Sequence, residues 1–203
     1  MNVQVRLATV ADAAPIGSMF ARAFADDPVT TWVTPEPRRR ATLLTRMNSL
    51  IARFEGVPRG ATYVAEEAGT VIGAAIWQPP RPQPVNWRSV PFALRAGLAL
   101  GESIPRMTRA GRAAAAARPP QRHWYLQLLG VDPAAQGTGV GSALVREHLA
   151  LVDAQWLPAY LETTAQNLDF YGRLGFEPTG EITIGPGAPT EYSLLRPGRS
   201  AAN

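Results

Sequence analysis

Gly130-Val131-Asp132-Pro133-Ala134-Ala135-Gln136-Gly137-Thr138-Gly139-Val140-Gly141-Ser142 is the stretch that decides the fold. An apolar run, Trp124–Val131, precedes it and reads as a strand. Leu144, Val145, His148 and Leu151 follow on one helical face. Asp132-Pro133 is a turn signal between the two. Gly137, Gly139 and Gly141 let the backbone turn tightly and come close to a ligand. The helix behind them points its unpaired N–H groups and the positive end of its dipole at the same place. Such a nest suits phosphate or pyrophosphate.

Two familiar phosphate motifs do not fit. A P-loop needs Gly-Lys-Ser/Thr, and all twenty basic residues of this chain are arginine. The dinucleotide fingerprint needs a third glycine where Ser142 stands, and its strand is normally the first of the domain.

Outward from the cradle, the pattern alternates strands and helices. Val3–Leu7 reads as a strand, and Thr9 with Asp12 opens a helix carrying Ile16, Phe20, Ala23 and Phe24 on one face. Asp27 as N-cap and Pro28 at the first helical position start a short helix. A longer one runs from about Glu36 with Leu43, Met47, Leu50 and Phe54 in step. Ala61–Glu66 and Val71–Trp77 form a hairpin. Residues 79–122 read as a Pro-, Arg- and Ala-rich insertion with helices over Phe92–Ile104 and Arg106–Ala117. After the cradle come a strand at Ala159–Thr164, a helix at Leu168–Leu174 stopped by Gly175, and strands near Phe176–Ile184 and Glu191–Arg196. The order predicts one α+β domain over 1–203, with a mostly antiparallel central sheet containing one βαβ unit.

Composition narrows the chemistry. The 203 residues contain no cysteine, which excludes disulfides, thiolate metal sites and a cysteine nucleophile. Absence of lysine removes Schiff-base chemistry. His123 and His148 alone make no metal site, so no metal is expected. The net charge of +4 is concentrated in residues 81–122, where eight arginines face only Glu102. Few aromatics and no recognition motif accompany them, so neither nucleic acid nor a membrane surface is expected as partner. No apolar block resembles a signal peptide or a membrane span, and a soluble, cytoplasmic protein is expected.

Gln136-Gly137-Thr138-Gly139-Val140-Gly141 resembles the Gln/Arg-x-x-Gly-x-Gly/Ala pyrophosphate motif of the GCN5-related (GNAT) acetyltransferases. Leu128-Leu129-Gly130-Val131 before it and Asn167-Leu168-Asp169-Phe170-Tyr171 after it resemble that family's flanking motifs, and the likeness runs from Val5 to Leu194. Three stretches, Ala23-Phe24-Ala25-Asp26, Leu161-Glu162-Thr163 and Asn167–Phe176, are similar to the puromycin N-acetyltransferases.

The resemblance implies a GNAT-like sheet whose central strands splay apart around acetyl-CoA. It implies that Leu129 and Val131 offer main-chain bonds to the pantetheine arm. Gln136, Gly137, Thr138, Gly139, Val140, Gly141 and Ser142 would surround the pyrophosphate, and Asn167 would bond the arm. Tyr171 would protonate the departing thiolate, the Leu129 N–H would polarise the acyl carbonyl, and Glu162 is a candidate base, with ordered water as its rival. Asp27, Trp32 and Gln127 are candidate contacts to the acceptor; Gln127, two residues before Leu129, is expected on the same sheet face. The implied reaction is acetyl transfer to a primary amine of a small molecule, a puromycin-like antibiotic included. A protein or peptide acceptor and a non-catalytic acyl-CoA sensor are the alternatives. The insertion would either cover the cleft or pack on a second copy in a homodimer.

Overall fold

The computed structural model describes residues 3–80 and 101–198. The first strand, β1 (Gln4–Leu7), leads through a 3-10 turn into helix α1 (Ala13–Ala23). Asp12 secures that junction: its carboxylate accepts from the Thr9 N–H at 2.7 Å and takes a two-pronged bond from Arg6, each arm 2.8 Å. Helix α2 (Pro28–Val33) begins as its sequence predicts, with the Asp27 carboxylate accepting from Thr30 N at 2.9 Å. Helix α3 (Pro37–Ile51), capped by Glu36, runs on into a π turn over Ala52–Gly56. Nothing in the side-chain spacing signals that turn.

Strands β2 (Thr62–Glu67) and β3 (Thr70–Gln78) form the expected hairpin, and Ala68 and Gly69 both take positive φ at its tip. Of the helix expected over Phe92–Ile104, residues 92–100 lie outside the described residues. Gly101–Ser103 is a 3-10 turn, and helix α4 spans Ile104–Ala117. Then follow β4 (Trp124–Val131), α5 (Val140–Ala154), β5 (Ala159–Thr164), α6 (Leu168–Gly172), β6 (Glu177–Thr183) and β7 (Thr190–Arg196). The seven strands make one sheet in the order β1-β2-β3-β4-β5-β7-β6. Every neighbouring pair is antiparallel except β4 with β5, whose crossover is α5. This is the α+β, mostly antiparallel sheet with one βαβ unit that the element order predicts.

Each face of the sheet has its own core. On one side α5 lays Leu144, Val145 and Val152 against Trp77, Leu126, Leu161 and Leu194. On the other, Ile16, Met19 and Phe20 of α1 pack on Val64, Ala74 and Ile76. Gly130 permits that second contact, since a Cβ there would lie 2.7 Å from the Phe20 ring.

Strand β4 departs from simple alternation. Ile76 pairs with Leu128 and Trp77 with Leu126, leaving Gln127 as the extra residue of a bulge. Leu126 and Leu129 therefore both join the α5-side core. The expectation that Gln127 shares a face with Leu129 is thereby corrected. Gln127 instead accepts from Gln78 Nε2 at 2.5 Å. No helix among the described residues is long and apolar enough to cross a membrane.

Candidate active site

Strands β4 and β5 are paired only at Trp124–Ala159 and Tyr125–Tyr160. Both run on, to Val131 and Thr164, and the gap between them is unbridged. The Asp132 N–H donates to Ile72 O on β3 at 2.8 Å. Backbone groups of a strand alternate in direction, so Gly130 also turns to β3 while Leu129 and Val131 turn to the gap. Gln136 supports this: its Nε2 donates to the Val131 carbonyl at 3.2 Å.

A cleft of about 830 Å³ occupies the gap. Leu129, Gly130 and Val131 line it from the strand, and Gln136, Gly137, Gly139, Val140, Gly141 and Ser142 from the cradle. Asn167, Phe170 and Tyr171 line it from the segment after β5, and Ala23, Phe24, Asp26 and Asp27 from the end of α1 and the loop beyond. Gly137 and Gly139 have φ of +76° and +90°, and a Cβ on either would meet nothing within 4 Å. They are glycines because the backbone turns left-handed there, so that its N–H groups face outward at the start of α5. Thr138 lies among them but turns away, its hydroxyl donating to Ala135 O at 2.7 Å.

Asn167 donates from Nδ2 to Thr163 Oγ1 at 3.2 Å, which orients its carboxamide beside the cleft. Tyr171 is packed edge-on between Phe170, at 4.9 Å, and Phe176, at 5.8 Å. Burial holds its hydroxyl protonated well above the ordinary tyrosine range.

Besides Thr138, three sequence candidates lie off the cleft's lining. Gln127 is held by the bulge. Trp32 sits on α2 with its carbonyl accepting from Arg106 Nη1 at 2.9 Å, and with that guanidinium over its ring. Glu162 points from β5 to the face opposite the α5 core, with its side chain 7% exposed and Oε1 3.5 Å from Arg118 Nε. Arg118 in turn stacks 4.0 Å over Tyr125. Burial raises Glu162, and Tyr125, Arg118 and the Tyr160 hydroxyl partly offset it. The same face carries a group the sequence reading passed over. Glu191 lies opposite Thr164 in the β5–β7 register. Burial, with Glu162 and Asp27 nearby, pushes its carboxyl up to about 7. A single acid opening a strand gives no signal in sequence of such a neighbourhood.

The acetyltransferase (GNAT) family model matches residues 21–176 of this chain, a span that contains the strand, the cradle and Tyr171. The chain belongs to the GNAT acetyltransferase family. Members of that family are acetyl-CoA-dependent N-acetyltransferases. A crystal structure from Corynebacterium glutamicum, described as histone acetyltransferase HPA2 and related acetyltransferase, is 30% identical, covers the whole of both chains and superposes with a TM-score of 0.76. The arylalkylamine N-acetyltransferase 2 of Aedes aegypti shares the fold at a TM-score of 0.66 and 14% identity, covering 97% of this chain and 99% of its own. An uncharacterized N-acetyltransferase of Schizosaccharomyces pombe is 27% identical over 171 residues, which are 76% of this chain and 66% of that relative. Acetyl-CoA, the family's co-substrate, fits the residues present: open left-handed glycines at a helix start for its diphosphate, and outward strand groups at Leu129 and Val131 for its amide arm.

Proposed function

We propose that this chain moves the acetyl group of acetyl-CoA directly onto a primary amine of a small molecule, in the cleft between β4 and β5. The observation that carries the reading is the meeting, in one cleft, of the outward edge of β4, the glycine cradle and Tyr171. Acetyl-CoA supplies an activated thioester. Gly137 to Ser142 bind its diphosphate through backbone N–H groups, with Gln136 holding the loop. Leu129, Val131 and Asn167 hold the arm, and the Leu129 N–H receives the negative charge that grows on the acyl oxygen.

The amine nitrogen bonds the acyl carbon and the carbon–sulfur bond breaks. The amine's proton leaves through water to Glu162, placed on β5 where it parts from β4. The sulfur takes the Tyr171 proton. Desolvation that strengthens the phenol's hold on its proton also raises the thiolate's appetite for one, so the transfer stays feasible inside the same dry wall.

Asp27 and the neighbouring loop suit a cationic acceptor, of which a puromycin-like amine is one example. The Corynebacterium relative's description favours a second reading, a protein acceptor. Because the chain has no cysteine, a thiol reagent registers only released coenzyme A. Acetyl-CoA with amines, antibiotics and histone-tail peptides separates the two readings. Tyr171→Phe should lower kcat by about 10² or more and leave acetyl-CoA affinity intact; undiminished turnover removes Tyr171 from the chemistry.

A further inference from the structure

On the sheet face away from α5, the described residues bring three carboxylates together with one cation, Arg118, and one of the three, Asp27, lines the cleft. Glu162 faces Arg118 at 3.5 Å. Asp27 lines the cleft and is raised by burial, although it caps α2. The Glu191 side chain has neither ion pair nor hydrogen bond among the described residues, and no arginine lowers it; every influence upon it is burial or another acid. Desolvated carboxylates are costly unless paired, and among the described residues this face carries more negative charge than positive.

One buried hydroxyl on the same face is also without a partner among the described residues. Tyr160, Glu162 and Thr164 alternate on β5 and so point to one side. The Tyr160 hydroxyl, on a residue 1% exposed, is engaged by the Glu162 carboxylate. The Thr164 hydroxyl, on a residue 7% exposed, is unpartnered and stands opposite Glu191. A buried hydroxyl without a protein partner is completed by water or by a ligand. Among the described residues no three acidic or histidine side chains converge closely enough to hold a metal ion. Carboxylates spread along a face, with an open hydroxyl acceptor beside Glu191, suit an extended organic cation.

We propose that the acceptor carries a second positive charge, and that Glu191 holds this distal ammonium while the reacting amine lies beside Asp27 in the cleft. Glu191 is the specificity-determining residue of the acceptor site, with the Thr164 hydroxyl accepting one of the remaining ammonium hydrogens. This rests on the acetyltransferase reading above and names its substrate class.

Thiol release from acetyl-CoA, measured with diaminobutane against butylamine and diaminopentane against pentylamine, tests it. The native chain should prefer each diamine by about tenfold or more in kcat/KM, the scale of one desolvated charge pair. Glu191→Gln should shrink that ratio at least fivefold, chiefly through KM for the diamine, and Glu191→Asp should retain most of it. Turnover of both amine types without preference overturns the proposal and leaves the acetyltransferase reading standing. A preference undiminished in Glu191→Gln also overturns it, because the charge would then be read elsewhere. Silence with every amine and peptide overturns the enzyme reading and this proposal together.

Discussion

The side-chain amide of Gln136 is bonded to the main-chain carbonyl of Val131, Nε2 to O at 3.2 Å. That bond ties the loop before the cradle to the strand edge that faces the gap, so the two surfaces proposed to hold acetyl-CoA are set relative to each other by one side chain. Gln136→Ala removes it without touching the reacting atoms. The expected result is a KM for acetyl-CoA raised about three- to tenfold, consistent with a net hydrogen bond of about 1 kcal/mol, and a kcat little altered. Steady-state kinetics with varied acetyl-CoA decide the matter, and an unchanged KM would show that the loop holds its shape unaided.

Gly139 and Gly141 look alike in the motif and differ in the fold. Gly139 sits at φ +90° as the residue before α5, where an L side chain is strained by about 1 kcal/mol or more although space is open around it. Gly141 is inside the helix, and its Cβ would make ordinary contacts with Phe170 at 3.4 Å and Val131 at 3.5 Å. Gly139→Ala should therefore weaken acetyl-CoA binding about five- to tenfold, and Gly141→Ala by about twofold or less. Calorimetric titration of both variants checks the order, and the reverse order would mean that crowding in the cleft, not backbone strain, sets affinity.

The contrast shows how far sequence reaches. Elements bounded by local chemistry were legible: Asp27-Pro28 starts α2, and the apolar run at Trp124 matches β4 residue for residue. The cradle was legible because glycine spacing encodes a backbone conformation. The bulge at Gln127 was not, since a period of two has no mark for one extra residue, and it turned a proposed acceptor contact onto Gln78. Nor was Glu191, whose neighbourhood is made by Thr164 across the sheet and by Asp27 far away in the chain. Long-range proximity of charges has no local signature.

Helices α1 and α3 cross at Gly17. A Cβ there would overlap the Ser49 hydroxyl and come within 2.5 Å of the Thr45 carbonyl, which is main chain and cannot swing aside. Gly17→Ala gains helix propensity but forces the helices apart, and overpacking of this kind costs about 1–3 kcal/mol. A lower urea midpoint is expected, together with a weaker grip on acceptor because α1 ends at the cleft. If the midpoint rises instead, the crossing is looser than the distances indicate.

His148 gives stability its dependence on acid. Its ring lies in a cage of Trp77 at 4.6 Å, Trp124 at 4.4 Å and Tyr63 at 5.6 Å, with Nε2 unpartnered. Burial lowers its affinity for a proton from 6.5 to about 4. Between those values the unfolded chain takes up a proton that the folded chain refuses, so folding stability is intact above pH 6.5 and is lost as pH falls toward 4. The loss from this group is at most about 3–4 kcal/mol. Glu191 acts in the opposite sense: raised from 4.5 to about 7, it contributes stability below 4.5 that fades as pH climbs through 7. The two trends oppose each other between about pH 4.5 and 6.5, so the native chain alone hides them, and single variants must separate them. In urea titrations at pH 5 and pH 8, His148→Phe should gain on the native chain at pH 5 relative to pH 8, and Glu191→Gln should gain at pH 8 relative to pH 5. Parallel shifts at the two pH values for His148→Phe would place the acid sensitivity outside the aromatic cage.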